Sequence, residues 1–476
     1  MHTFIFTNME PLQVKVHMYP VGELGDCFLL NFSSAGKESH ILIDCGSFRN
    51  NGTTIPHMQS IAADIKTKLS GKPLDVVVGT HQHNDHLSGY VHAFDTFKAI
   101  GAGHVWLSWL DSPDDTQAQA IAGGQRKLST KLQEISKSLS AINGLNASKA
   151  AEHINDVLGF YGLDAPALNS TPVVPQQGLN NLKALGGKQV SYLYPGTIMD
   201  LPGLDAGAVK VYVLGPPKDN NLLFDINPGK GESYDSKLAP VLNMADGFMA
   251  GLTNFVGKPV AGEPFFPFDQ KFEKPRDHLT NPLMINYSDP ANKWRNIDED
   301  WLDQAENMAL YLDAYTNNSS LVLAFELVES QKVLLFVGDA QTGNWLSWKT
   351  IDWAGQTVSL DKLLQQTVLY KVGHHCSHNA TLPESLEKMT HPELVAMIPV
   401  DISDPNITKV NGWKMPAANL YKRIKELTKN RILRADMVYE TDCDPAGAIG
   451  QANWGALLAK VDITASKTVV TYTIEG

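Results

Sequence analysis

Three histidines and one aspartate fall close together in the run His81-Gln82-His83-Asn84-Asp85-His86. Neutral imidazole and carboxylate are ligands that zinc, manganese and iron use in proteins. The run directly follows the apolar stretch 76–78, so we expect a loop at the carboxyl end of a buried strand, where side chains can converge. A polar surface turn and a partly buried histidine cluster hydrogen-bonded to backbone are the alternatives, but this density of ligand types indicates a metal site.

One such loop does not complete a metal site, because zinc takes about four ligands and a pair of ions needs a bridging group. Two later stretches each end an apolar run with ligand-type residues. Gly338-Asp339 follows the run 333–337, and Gly373-His374-His375 follows the run 368–372. Each alone is also typical of an ordinary turn. Three strand ends that deliver His, Asp and His together predict a two-metal centre.

The elements that must position these residues are short strands alternating with helices. A hairpin or meander is predicted first, with strands at 14–16, 27–31 and 40–43. A helix at 58–69 and a buried strand at 74–80 follow. More strands are predicted at 190–194, 209–214, 320–327, 332–337 and 368–372, and the tail adds a helix at 417–427 with strands at 432–434 and 468–472. This alternation predicts an α/β fold class.

Two segments interrupt that framework. In 111–187, apolar residues recur every three or four positions, as in an amphipathic helix: Leu128, Leu132, Ile135, Leu139 and Ile142. A second helix is predicted there at 147–160. The segment 216–316 is rich in Pro, Gly and Asn and reads as irregular before a terminal helix marked by Trp301, Ala305, Met308 and Leu312. Because chemistry-bearing residues lie on both sides of these insertions, we predict one elaborated domain over residues 1–476.

The order of the motifs resembles the metallo-β-lactamase superfamily, and within it most resembles the hydrolase domain of ComEC-type DNA-uptake proteins and their stand-alone relatives. The stretches that carry this likeness are 25–30, 41–46, 81–86, 317–339 and 371–377. The resemblance implies an αββα sandwich, in which two mixed sheets are flanked by helices. The two long insertions interrupt this likeness, which does not explain them.

The resemblance also implies metal-ligand roles. His81 and His83 would hold a first ion, and Asp85 and His86 a second. Asp339 would bridge the two ions, and Asp85 would in addition take part in catalysis. We expect two zinc ions, with manganese or iron as alternatives.

Further roles follow from the same likeness. One of His374 and His375 would complete the second site, and the other would contact the leaving oxygen. Asp44 would orient a ligand histidine through its other ring nitrogen, and Asp26 would act in the same way or form a turn. From their position just beyond the Gly-His-His turn, Ser377 and His378 are expected to contact substrate, and packing within the loop is the alternative.

The sequence departs from the family pattern in two places. Relatives have a first-metal histidine before Pro-Pro, where this chain has Gly215, and glycine where it has Cys376. His153 and His278 are the remaining histidine candidates, but each is more typical of a surface residue. We therefore expect a weakly held first ion or an enzyme with one ion.

The function that these residues predict is metal-dependent hydrolysis by a metal-bound hydroxide. The ComEC-like resemblance favours a phosphodiester substrate, either a small phosphodiester or single-stranded nucleic acid. The alternatives are a lactone, thioester or β-lactam hydrolase, and a catalytically degenerate module whose insertions bind a protein partner. Metal analysis and assays on both substrate classes discriminate among them.

Composition narrows the choice of partners. The 476 residues include 39 Lys+Arg and 51 Asp+Glu, for a formal charge of -12, which disfavours non-specific binding of duplex DNA. The four cysteines lie far apart without a CxxC pair, which favours free thiols in a reducing compartment. We find no signal-peptide pattern and no run of about 18 apolar residues, so we expect a cytoplasmic protein with no membrane partner.

Overall fold

The structure is a computed structural model that describes residues 11–49, 52–141, 145–163, 174–225, 244–245, 248–249, 286, 289, 291–292, 303–409, 412–436, 457, 459–463 and 468–476. Its strands are β1 Gln13–Met18, β2 Cys27–Ser34, β3 Lys37–Cys45, β4 Leu74–Gly79, β5 Ala102–Ser108, β6 Val190–Leu193, β7 Ile198–Asp200, β8 Val209–Gly215, β9 Val322–Leu327, β10 Lys332–Phe336, β11 Thr367–Lys371, β12 Val395–Ile398, β13 Ile432–Arg434, β14 Val461–Ile463 and β15 Val470–Glu475.

Helices connect and cover these strands. They are α1 Thr54–Lys68, α2 Asn84–Leu87, α3 Gly89–His92, α4 Phe94–Ile100, α5 Thr116–Ser140, α6 Leu145–Gly159, α7 Val174–Gly186, α8 Asn220–Leu223, α9 Asp303–Asn318, α10 Thr342–Ser347, α11 Leu360–Gln365, α12 Pro383–Leu386, α13 Pro405–Thr408 and α14 Ala418–Leu427. Short 3₁₀ turns occur at Trp109–Asp111, Trp348–Thr350 and His374–Cys376.

The strands form two mixed sheets. The first has the order β14-β15-β1-β2-β3-β4-β5-β6, and the second β13-β12-β11-β10-β9-β8-β7. In the first sheet β1, β2 and β3 pair antiparallel, as the predicted meander requires, and β3 to β6 run parallel. The second sheet is parallel from β10 to β13 and antiparallel from β7 to β10. The predicted α/β class, with two mixed sheets flanked by helices, is confirmed.

The sheets pack face to face around an apolar core, because side chains alternate along each strand. On β10, Leu334 and Phe336 point into the layer between the sheets, whereas Val333 and Leu335 point to the helical side. Phe336 meets Phe28 of the first sheet with ring centroids 5.6 Å apart. Burying such a side chain contributes about 1.5–3 kcal/mol, so these contacts fix the two sheets against each other.

Helices cover both outer faces. Apolar residues of α1 and α7, such as Ile61, Ile65 and Leu182, share a core with the outward side chains of the first sheet. On the other side, α5, α6 and α9 pack with the outward face of the second sheet. The predicted stripe on α5 is buried at Leu128, Leu132, Ile135 and Leu139, and Ile142 lies outside the described residues. Both helices predicted within 111–187 are present.

Several elements escaped prediction. Strands β5 and β12 and helix α7 were not expected, because short apolar runs do not distinguish strand from helix by periodicity and α7 carries Pro175 and Gly178. Most of the segment predicted to be irregular, 216–297, lies outside the described residues, as does Trp301. The single-domain organisation stays a prediction.

Two further observations bear on the chain as a whole. Across the described ranges, every helix is too short or too polar to cross a membrane. Cys27, Cys45 and Cys376 are buried free thiols, as expected, and Cys443 lies outside the described residues.

The arrangement of the strands brings four loops together. The carboxyl ends of β3 and β4 in the first sheet and of β10 and β11 in the second lie at one edge of the sandwich. Leu321 N–H donates to Thr80 O across the sheets at 3.0 Å, which ties these ends to each other. Loops at such an edge are where α/β proteins hold their functional side chains.

Candidate metal centre

The loop after β4 carries the predicted ligand run, and backbone bonds fix it in place. Asn84 N–H donates to Phe160 O at 2.8 Å, and Asp26 N–H donates to Asp85 O at 2.9 Å. Beneath the loop, a Cβ on Gly46 would lie 2.4 Å from Asn84 O. Only glycine therefore lets the chain after β3 pass this close to the ligand loop.

Four predicted residues form one buried group, Asp85, His86, Asp339 and His375, whose ligand atoms all lie within 4.8 Å of one another. His86 Nε2 is 3.2 Å from Asp339 Oδ2, and His375 Nε2 is 3.1 Å from Asp85 Oδ2. All four side chains are at most 1% exposed. The three distant stretches of sequence therefore converge.

The donors of this group suit a divalent cation. Asp85 Oδ1, His86 Nε2 and Asp339 Oδ2 are buried without a well-formed hydrogen bond to any described residue. An unsatisfied buried polar atom costs about 1–3 kcal/mol, and a shared cation removes that cost. Imidazole nitrogens mixed with carboxylate oxygens are a donor set that fits zinc, manganese or iron.

Asp44 lies behind His86, where it was predicted. Its Oδ2 is 2.8 Å from His86 Nδ1. The same carboxylate accepts from Thr80 N–H at 2.8 Å and from Thr80 Oγ1 at 2.7 Å. When Asp44 accepts the Nδ1 proton of His86, the Nε2 lone pair faces the group.

Lys371 is a member of the site that the sequence did not single out. The side chain is 2% exposed, forms an ion pair with Asp26, and lies 3.3 Å from Asp339 Oδ1. Its Nζ also donates to Gly338 O at 2.7 Å. A lysine inside the apolar run 368–372 was the available signal, because a buried lysine requires partners of opposite charge.

The two oxygens of Asp339 have different surroundings. Oδ1 accepts from His374 N–H at 2.9 Å and faces Lys371. Oδ2 faces His86 and His375, at 3.2 and 3.9 Å from their Nε2 atoms. Hydrogen bonds from the protein thus satisfy Oδ1, whereas Oδ2 faces the buried His and Asp ligand atoms.

Asp26 lies next to the ion pair of Lys371 and Asp339. Its Oδ2 is 3.9 Å from His86 Nδ1, farther than that of Asp44. Burial raises the pKa of Asp26 to about 6 even though the Lys371 charge lowers it. Its chief contact is with Lys371, so its link to the ligand histidine is weaker than that of Asp44.

The adjacent His374 and His375 face different surroundings, because residues 374–376 have left-handed backbones with φ of 42, 50 and 65°. His375 Nδ1 lies 2.7 Å from Pro399 O, which leaves Nε2 for the group. The His374 ring lies outside the group, 2.7 Å from Ser377 Oγ through Nδ1. A positive φ favours glycine, which explains why glycine suits the position of Cys376.

His81 and His83 form a separate pair beside the group. His81 Nε2 lies 3.2 Å from His83 Nδ1, close enough for one ion to contact both. His81 Nδ1 lies within 3.2 Å of the hydroxyls of Thr80 and Ser320. The pair therefore presents two ring nitrogens to one point.

Protonation differs between the histidines. Burial lowers the pKa of His83 to about 3 and that of His374 to about 4, so both rings are neutral at pH 7. Burial also opposes charge on His86, but the surrounding carboxylates, first Asp339, raise its pKa well above the usual value. Neutral imidazole is the form that binds metal.

The position of the expected extra histidine is filled by another side chain. A Cβ on Gly215 would lie 2.0 Å from Asn344 Oδ1. Asn344 Nδ2 donates to the carbonyls of Asn318 and Ser320 at 3.0 and 2.9 Å. Of the other candidates, His153 is half exposed and pairs with Glu306 at 3.0 Å, and His278 lies outside the described residues.

Asp313 of α9 is a second residue that the sequence did not reveal. Its Oδ1 lies 3.9 Å from His83 Nε2. Burial raises its pKa to about 8, with a further contribution from the charges of Asp85 and Asp339. Cations bound at the centre would offset those charges, lower this pKa and favour the carboxylate form. Nothing in its local sequence distinguishes it from a polar helix position.

A pocket of about 400 Å³ opens beside the centre. Ser377 and His378, the predicted substrate contacts, line it together with His374. Its apolar side includes Trp413, whose ring stacks on Phe160 with centroids 5.3 Å apart. Exposed Lys414 is also part of the lining. The volume suits a small molecule.

Comparison with known proteins agrees with this geometry. Residues 21–118 match the protein-family model described as Metallo-beta-lactamase superfamily. That range contains β2 to β5 and the ligand loop, and the two mixed sheets flanked by helices are consistent with the metallo-β-lactamase fold. Comparison with curated proteins gave no match. A superfamily domain with buried His and Asp groups supports a hydrolase with a metal site.

Proposed function

We propose that this protein is a metal-dependent hydrolase acting on phosphodiesters. The observation that carries the proposal is the buried group Asp85, His86, Asp339 and His375, three of whose ligand atoms are left for a cation. When bound, divalent ions lower the pKa of coordinated water towards 7 and neutralise charge that develops on the scissile group.

Each residue of the centre then has a distinct task. Asp85, His86 and His375 would hold one ion, which is zinc or, alternatively, manganese or iron. His81 and His83 would hold the other ion. Asp339 would be shared between them, because Lys371 and the His374 N–H occupy only one of its oxygens.

The remaining residues orient the ligands and the substrate. Asp44 keeps the His86 ring in the tautomer that offers Nε2 to the ion. His374 lines the pocket as a neutral ring and contacts the leaving oxygen. Ser377 and His378 contact the substrate from the same wall.

Four observations support a small phosphodiester as the substrate. The motifs resemble those of ComEC-type hydrolase domains, and Lys414 places a positive charge at the pocket. The pocket volume of about 400 Å³ suits a small ligand. The net charge of -12 opposes binding of a long duplex.

The test is metal analysis followed by assays on two substrate classes. Purified protein loaded with zinc or manganese is assayed with bis-(p-nitrophenyl) phosphate and with a lactone panel. We expect phosphodiester turnover, and a loss of about 100-fold or more in His375→Ala and Asp339→Ala, because even residues behind metal ligands are worth 10–100-fold. Surface variants His391→Ala and Asp361→Ala serve as matched controls.

Three outcomes would contradict the proposal in different ways. Turnover of lactones alone would make the phosphodiester assignment wrong. Unchanged activity in both centre variants would remove the metal mechanism. A chain that binds no ion and hydrolyses neither class would be a binding module instead of an enzyme.

A further inference from the structure

His83 is enclosed by both insertions. Phe160 and Tyr161, which follow α6, lie against its ring at centroid distances of 5.2 and 4.9 Å. Helix α9 of the second insertion lies on another side and carries Asp313. His83 is 1% exposed and Asp313 is 9% exposed. Water therefore has little access to the contact between these two side chains.

Two polar atoms face each other inside this enclosure. His83 Nε2 and Asp313 Oδ1 are 3.9 Å apart, and neither has a hydrogen-bond partner among the described residues. The distance exceeds that of a hydrogen bond, but a shift of about 1 Å closes it to the usual 2.7–3.2 Å. A hydrogen bond between these two atoms would satisfy both of them.

The rest of the Asp313 side chain is already held. Its Oδ2 accepts from Asn317 Nδ2 at 3.1 Å, one turn further along α9. The helix itself is tied to the first insertion, because the Tyr161 hydroxyl donates to Leu312 O at 3.0 Å. These bonds leave Oδ1 directed at His83.

The opposite nitrogen of His83 faces the metal centre, with Nδ1 lying 3.2 Å from His81 Nε2. A neutral imidazole carries one N–H and one lone pair. A proton on Nε2 therefore gives Nδ1 the lone pair that a cation requires. A proton on Nδ1 would instead prevent this nitrogen from binding a cation.

We propose that Asp313 is a positioning residue for His83, whose Nε2–H it accepts so that Nδ1 is offered to the first metal ion. This inference rests on the metal centre of the proposed function. The second insertion would thereby help to orient a ligand of the first ion, in a site where Gly215 replaces the expected histidine. The first ion depends on a helix that the superfamily match, residues 21–118, does not include.

The test reads the His83 tautomer and the zinc affinities separately. Nuclear magnetic resonance of zinc-loaded protein with ¹⁵N-labelled histidine rings identifies the His83 signals as those lost in His83→Gln. In wild type we expect the proton on Nε2. In Asp313→Ala that proton loses its partner, so its signal moves upfield or exchanges away.

Zinc titration against a chelator gives the second readout. Asp313→Ala should weaken one of the two ions about 10–100-fold, as loss of a carboxylate behind a ligand histidine does, and leave the other unchanged. Glu306→Ala, on the same helix, is the matched control and should bind both ions as wild type does.

If the ring proton of His83 lies on Nδ1 in wild type, the inference is wrong. This result needs no substitution at position 313. Unchanged affinities and an unchanged His83 signal in Asp313→Ala would overturn the inference as well. Wild type that binds two zinc ions but hydrolyses neither substrate class would refute only the proposed activity. Wild type that binds no zinc would refute both.

Discussion

Asp44 Oδ2 lies 2.8 Å from His86 Nδ1, and Thr80 anchors the same carboxylate through its backbone N–H and its hydroxyl. All three residues are at most 2% exposed. The His86 ring therefore cannot rotate freely, and its Nδ1–H stays directed at Asp44. This contact therefore orients the His86 ring, with Nε2 towards the buried group, before any ion binds.

Removal of Asp44 should weaken metal binding without emptying the ligand set. We expect Asp44→Ala to lower affinity for divalent ions about 10–100-fold, measured by titration against a chelator. Asp75→Ala is the matched control, because Asp75 accepts the His40 N–H at 2.8 Å on a neighbouring strand outside the ligand group. Equal affinities in the two variants would show that Asp44 does not orient His86.

Lys371 should matter most when the centre holds no ion. Lys371→Met leaves Asp26 and Asp339 without their buried counter-charge, which costs about 3–5 kcal/mol. Urea unfolding after chelator treatment measures the loss, and zinc should restore part of it. Lys388→Met removes a partly exposed pair with Asp361 and should change stability little, because water screens such pairs. A stable ion-free Lys371→Met would contradict the assignment.

A side chain at position 215 should lower the stability of the protein. Gly215→Ala places Cβ against Asn344 and should destabilise the protein by about 1–3 kcal/mol, as overpacking does. Gly123→Ala on α5 meets nothing within 4 Å and should raise stability by up to about 1 kcal/mol. Urea unfolding of both variants is the measurement. A neutral Gly215→Ala would mean that Asn344 moves aside.

Acid sensitivity should trace in part to His17 on β1, which lies outside the buried ligand group. Burial and then the Lys68 charge lower its pKa from 6.5 to about 4. As pH falls through this window the unfolded chain takes up the proton first, so stability is lost from about pH 6.5 down to 4. Between pH 7 and 5 the loss is about 2 kcal/mol.

Substitution isolates that contribution. His17→Gln stays neutral, so its unfolding free energy should fall less steeply between pH 7 and 5 than that of wild type. The comparison uses urea unfolding at both pH values with chelator present. Identical slopes in the two proteins would exclude His17 as a source of acid sensitivity.

Much of the centre was predictable because its ligands lie at the ends of apolar runs. Asp339 and His375 follow strands whose hydrophobic pattern is clear, and parallel strands deliver their carboxyl ends to one edge. The order of motifs then indicated which side chains meet. Which of the His374 and His375 rings lies in the buried group could be seen only in the structure, because it depends on three consecutive left-handed residues.

Other parts could not be read from the sequence. Asp313 lies on a helix whose pattern predicts only a buried stripe, and its contact with His83 depends on how two insertions pack. The absence of a histidine at position 215 was visible, but the Asn344 side chain that fills its space comes from a distant helix. Such contacts are tertiary, and the local periodicity of the sequence does not predict them.

The wide spacing of the centre along the chain has a consequence during synthesis. Asp85 and His375, which lie 3.1 Å apart when folded, are 290 positions apart in sequence. A growing polypeptide on the ribosome holds the first loop long before its last partner exists, and closing so long a span is slow. Under the proposed function, metal loading would wait until the chain through His375 has been synthesised, and fragments that end before it would lack part of the site.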